Sequence, residues 1–148
     1  MTAEEVYVDP SALCRLYLNQ PGIRELSAWR RRVPGAFPLT HHGRVEVTNA
    51  ISLAAFRQEL DPSSLAEARS EFAEDFAQGR LVQVDVLWRA ALKRAAELGE
   101  AHTPTLGTRA ADVLHVACAL ELKLRHFLTF DDRQRKLATA VGLKIIKL

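Results

Sequence analysis

The chain has 148 residues, with 48% hydrophobic and 26% charged side chains, which fits one compact domain and excludes wholesale disorder. A formal net charge of +2 is too small to diagnose nucleic-acid binding by itself, although a local basic patch is compatible with it. Cys14 and Cys118 lie in apolar contexts without paired spacing, so they read as buried free thiols rather than a metal site or a disulfide. The N-terminal MTAEEVYVDP has no basic-then-apolar signal pattern and no apolar run approaches a bilayer span, which gives a cytoplasmic expectation.

Val6-Tyr7-Val8, closed by Asp9-Pro10, reads as a first strand. A helix is expected over residues 11–18, and after the Pro21-Gly22 interruption another over 23–32. Residues 37–40 form a second strand, followed by helical periodicity over 43–60. Asp61-Pro62 then starts a further helix with Leu65, Ala68, Phe72 and Phe76 on one face. LVQVDV at 81–86 alternates as a third strand. Residues 88–98 read as a helix stopped by Gly99, with a loop over 102–108. A strongly apolar helix over 109–123, a strand at 127–130, a helix over 132–140 and a last strand at 143–146 complete the chain. Strands separated by helices predict an α/β three-layer sandwich, a single domain over 1–148, with a mostly parallel central sheet of four to five strands.

In such a sheet the carboxyl ends of strands and the amino ends of the following helices share one edge, where ligands bind. Asp9 follows the first strand; Glu46 and Asp112 fall in the first turns of helices; Asp131 follows the 127–130 strand. Any one acid at a helix start answers to dipole complementarity alone. Four at matched points predict a shared cluster that repels itself when empty, so that neutralising Glu46 should stabilise the metal-free chain. Hard oxygen ligands point to Mg²⁺ or Mn²⁺. Asp132, next to Asp131, reads as a helix cap or a partner of Arg135 or Lys136.

The segments YVDPSALCRLYL, RVEVTNAI, GTRAADVLHVACAL and FLTFDDRQRKLA resemble, in order and spacing, the acidic motifs of PIN-domain ribonucleases, nearest to the VapC-like toxins of type II toxin–antitoxin pairs. The resemblance implies that Asp9, Glu46, Asp112 and Asp131 are catalytic metal ligands, with Ser11, Asn49 and Thr129 as polar neighbours. It implies a metal-dependent endoribonuclease using Mg²⁺ or Mn²⁺, with an RNA substrate, a cognate antitoxin and a homodimeric state. The antitoxin groove would lie on the helices over 44–60 and 62–78, whose apolar residues equally suit ordinary core. Arg109, Arg133, Arg135 and Lys136 are the nearest candidates for contacts to the RNA backbone.

His41-His42, just before Glu46, reads as a loop cap with a site role possible, and His115 as a packed core histidine. Two other readings stay open. An aspartate-based phosphatase or receiver domain also puts Asp after a first strand, but the phosphatase pattern wants a second Asp where Ser11 stands, and a receiver wants paired acids there. A catalytically silent RNA- or protein-binding module with the same fold is the other, against which the full acidic set argues.

Overall fold

The computed structural model describes residues 1–148. After a 3-10 turn at Ala3–Glu5, the elements run β1 (Val6–Val8), α1 (Pro10–Leu13), α2 (Arg15–Leu18), α3 (Ile23–Arg32), β2 (Phe37–Thr40), α4 (His41–Phe56) and α5 (Pro62–Ala77). They continue as β3 (Leu81–Val84), α6 (Trp88–Leu106), α7 (Ala110–Glu121), β4 (His126–Leu128), α8 (Asp132–Ala140) and β5 (Lys144–Ile145). All pairings are parallel: β1, β4 and β5 form one sheet in that order, and β2 pairs with β3.

Alternation along the central strands builds the three layers. Val6, Val8 and Leu128 face a core completed by α1 to α5, β2 and β3, whereas Tyr7 and Phe127 face a second core with α6, α7 and α8. Tyr7 and Phe127 are register partners, and their rings stack at 5.3 Å. Both cysteines are buried, one in each core, and burial pushes their thiols up, Cys14 to about 12 and Cys118 to about 11, so neither is a nucleophile at neutral pH.

Where one sheet of four to five strands was expected, the five strands divide into a three-stranded sheet and a two-stranded pair that lies beside it. Backbone chemistry accounts for the gap. Phe37 donates its N–H toward β3, to the Arg80 carbonyl, so Ala36 and Pro38 face β1. The Ala36 N–H is taken by the Glu4 carboxylate at 3.0 Å, and Pro38 has no N–H to give.

Several expected boundaries also move, among them the helix expected over 43–60, which runs His41–Phe56 and takes in His41 and His42. The helix over 11–18 breaks at Cys14 into α1 and α2. β3 ends at Val84, where its partner strand ends at Thr40. Gly99 does not stop α6, which continues through Pro104 to Leu106 and takes in the expected loop. Leu98 and Leu106 pack on the second core, outweighing the roughly 1 kcal/mol cost of a mid-helix glycine. The stop is Gly107, whose φ of 66° is left-handed and whose N–H caps the Thr103 carbonyl.

A buried ion-pair network fastens α5 to the first core's helices. Asp75, 2% exposed, accepts from Tyr17 Oη at 2.5 Å, Arg30 Nη1 at 2.6 Å and Arg80 Nε at 2.6 Å. Desolvation raises the Asp75 carboxyl, but these three donors outweigh it and hold it below the usual carboxylate range.

Candidate functional site

The ends of β1 and β4 and the starts of α4 and α7 meet around a pocket of about 430 Å³. Asp9, Glu46, Asp112 and Asp131 all line it, with Ser11, Arg15, Arg109, His115 and Phe130. Four acids remote in sequence therefore share one cavity.

Each is held by local chemistry. Asp9 is the N-cap of α1 and accepts from the Ser11 N–H at 3.1 Å and from the Ser11 hydroxyl. Its second oxygen accepts from Gln134 Nε2 at 3.0 Å. Asp112 accepts from the Arg109 N–H at 3.0 Å and from Arg109 Nε at 3.3 Å. Asp131 caps α8 by accepting from the Gln134 N–H at 2.8 Å, and stands 3.8 Å from Arg109 Nη2. Thr129, buried below this layer, donates to Gln134 Oε1 at 2.6 Å and accepts from the Asp131 N–H at 3.1 Å.

Glu46 differs from the expectation of a carboxylate strained by its neighbours. His115 Nε2 stands 2.9 Å from Glu46 Oε2, and His42 Nε2 stands 2.9 Å from Oε1. Desolvation raises the Glu46 carboxyl, yet the His115 bond and the two imidazoles outweigh it and hold it below its ordinary value. His115 is itself shifted upward: desolvation opposes its charge, and the Glu46 bond with the nearby Asp9 and Asp112 charges prevails. Glu46→Gln is therefore expected to destabilise the chain in chelator, by about 1–2 kcal/mol for a weakened, half-buried charged pair. Thermal melts in chelator check this, and a higher melting temperature for the variant would restore the repulsion picture.

Several assignments change. Asn49 does not reach the acids. α4 turns Gly43, Val47, Ile51 and Ala54 to the core, which leaves Asn49 exposed in a separate groove with Val45, Thr48 and Ser52. Arg133 is exposed and donates to the Gly107 carbonyl at 3.3 Å, outside the pocket lining. Arg135 turns away to the Thr129 carbonyl and Asp132. Asp132 is thus the partner of Arg135, while the cap of α8 is Asp131. Ala68 and Phe72 of α5 belong to the core, whereas Phe56 of α4 is 85% exposed.

Arg15 and Gln134 were not singled out in the sequence. Arg15 lies over the Phe130 ring at 4.1 Å and lines the pocket. Gln134 had a legible signal, since Asp131-x-x-Gln134 has capping-box spacing. Its bonds to both Asp9 and Thr129 depend on the fold.

The donor set fits a divalent cation. Asp9 is a carboxylate only 4% exposed whose partners are the neutral Ser11 and Gln134, and three further carboxylates share its cavity. Buried charge of that kind calls for a counter-cation, and oxygen donors favour a hard one.

Comparison with known proteins agrees with this geometry: the chain matches the PIN domain over residues 6–140 and belongs to that family. No match is found among curated proteins. PIN domains are generally nucleases, and they bind divalent metal ions. No helix is long and apolar enough to cross a membrane.

Proposed function

We propose that this chain is an Mg²⁺- or Mn²⁺-dependent endoribonuclease in which Asp9, Glu46, Asp112 and Asp131 hold the metal, directly or through water. The observation that carries the reading is the convergence of the four carboxylates in one cavity whose basic residues are Arg15, Arg109 and His115. A divalent ion there, when bound, acidifies the attacking water and neutralises charge on the phosphodiester.

The chain's own residues supply positioning. Ser11 and Gln134 fix both oxygens of Asp9, so the carboxylate is oriented before substrate arrives. Gln134 also couples Asp9 to the Thr129–Asp131 corner, which ties the β1 and β4 ends into one unit. Arg109, with a side chain 74% exposed beside Asp112, is free to swing onto a backbone phosphate. Arg15 is a second phosphate contact, held by Phe130 beneath it.

Two measurements test this reading. RNA and DNA of one sequence, incubated with the purified chain and Mg²⁺, should give cleavage of the RNA; cleavage confined to DNA would refute the ribonuclease assignment. Asp131→Asn should lose at least about tenfold in rate, because it removes a charge from the cavity while an Asn still caps α8. Asp132→Asn should stay near wild type, and the reverse order would reassign the acid.

We further read the chain as the cytoplasmic toxin of a toxin–antitoxin pair, active as a homodimer and blocked by a small antitoxin. Exposed Val45, Leu53 and Phe56 on α4 support a protein partner there. A mainly apolar groove of about 690 Å³ between α6 and α7 reaches Glu46, giving such a partner a route to the acids. Induced expression should arrest growth in wild type and not in Asp9→Asn; growth unaffected by the active nuclease would refute the toxin role.

A further inference from the structure

We infer that His42, Glu46 and His115 form a transition-metal site beside the acid pocket, suited to Zn²⁺ or Co²⁺ rather than Mg²⁺. The site shares Glu46 with the function proposed above, and His115 also lines the acid pocket, but its evidence is the geometry of the three side chains. The ligand atoms of the three residues all lie within 4.8 Å of one another. His42 and Glu46 are one helical turn apart on α4, and His115 meets them from α7. A tetrahedral ion with bonds of about 2.0–2.1 Å spaces its ligands by roughly 3.3 Å. Measured to the one oxygen Oε1 of Glu46, the separations are 2.9 Å from His42 Nε2 and 3.0 Å from His115 Nε2, so these two edges need to open by a few tenths of an ångström to admit the ion.

The surroundings of the two imidazoles point the same way. His115 is 2% exposed, and its Nδ1 lies 2.7 Å from the buried Tyr7 hydroxyl. With Nδ1 engaged by Tyr7, Nε2 is directed at Glu46, to which it donates in the metal-free chain, and it would give up that proton to bind an ion, the orientation that an outer partner gives a metal-ligating histidine. His42 is set by contact with the Trp88 and His115 rings, at 5.8 and 5.4 Å between centroids. The groove between α6 and α7 ends on His42 and Glu46, which provides an entry path. Two imidazoles and one carboxylate select borderline transition metals, whereas Mg²⁺ prefers oxygen throughout.

Co²⁺ titration of the full chain in excess Mg²⁺, followed by visible absorption and thermal shift, tests the site. Wild type should show a saturable absorption band that Mg²⁺ does not displace and Zn²⁺ does. His42→Gln, at a half-exposed position that does not threaten folding, should weaken Co²⁺ binding at least about tenfold, and Tyr7→Phe by about 10–100-fold. Asp112→Asn should keep the band even where it abolishes cleavage, which separates this site from the acid pocket. A band displaced by Mg²⁺, a band unchanged in His42→Gln, or no band would overturn the inference.

Discussion

Asp9→Asn and Asp112→Asn are each expected to lower RNA cleavage at least about a hundredfold, a change of roughly 2.7 kcal/mol in transition-state stabilisation. Both residues line the acid cavity, and neither substitution removes volume, although Asn at position 9 keeps only one of the two acceptor oxygens that Ser11 and Gln134 engage. Asn at position 9 still accepts from Ser11 and still caps α1, while its NH2 meets Gln134, whose amide must flip to accept from it, so the folded state should persist with a modest loss of about 1 kcal/mol. Asp112→Asn keeps an oxygen for the Arg109 N–H. Single-turnover rates on one RNA, read beside thermal melts, separate loss of chemistry from loss of fold. A well-folded Asp9→Asn with undiminished rate would remove this residue from the site.

Asp75→Asn should give the largest loss of stability, about 3 kcal/mol, or roughly 6–12 °C in melting temperature. Its carboxylate is buried against Tyr17 and two arginines, and the neutral amide leaves the two guanidinium charges unanswered. The figure sits at the low end of the range for broken buried pairs because Arg80 is 44% exposed and water recovers part of its solvation. The pH dependence has a definite sign. Because the folded carboxyl is held below its unfolded value, its contribution is fully present above the ordinary carboxylate range and disappears as pH falls through the lowered folded value. The stability gap between wild type and Asp75→Asn should therefore be wide at neutral pH and close in acid. A gap that stays constant down to strong acid would mean that the network is not held by ionised Asp75.

The layered α/β architecture and the meeting of the four acids were legible in the sequence because both follow from strand–helix alternation. An acid at the end of a strand or the start of a helix reaches the shared edge whatever the details of packing. What depended on packing was hidden. Asn49 lies three residues from Glu46, but the core demands of Val47 and Ile51 turn it to solvent. Gln134 and Arg15 gain their roles only from partners contributed by other elements. His115 reads as a core histidine in an apolar helix and is indeed buried, yet the same burial carries it to Glu46. The extension of α6 past Gly99 was hidden for a related reason: local propensity disfavoured it, and contacts of Leu98 and Leu106 with the second core outweighed that preference.

The central claim, that the four carboxylates hold a divalent ion on which RNA cleavage depends, is tested most directly by removing and restoring that ion. The purified chain, stripped with chelator, should leave RNA intact. Readdition of Mg²⁺ or Mn²⁺ should restore cleavage saturably in wild type and should fail to restore it in Asp9→Asn. Cleavage that persists at full rate in excess chelator would contradict the account.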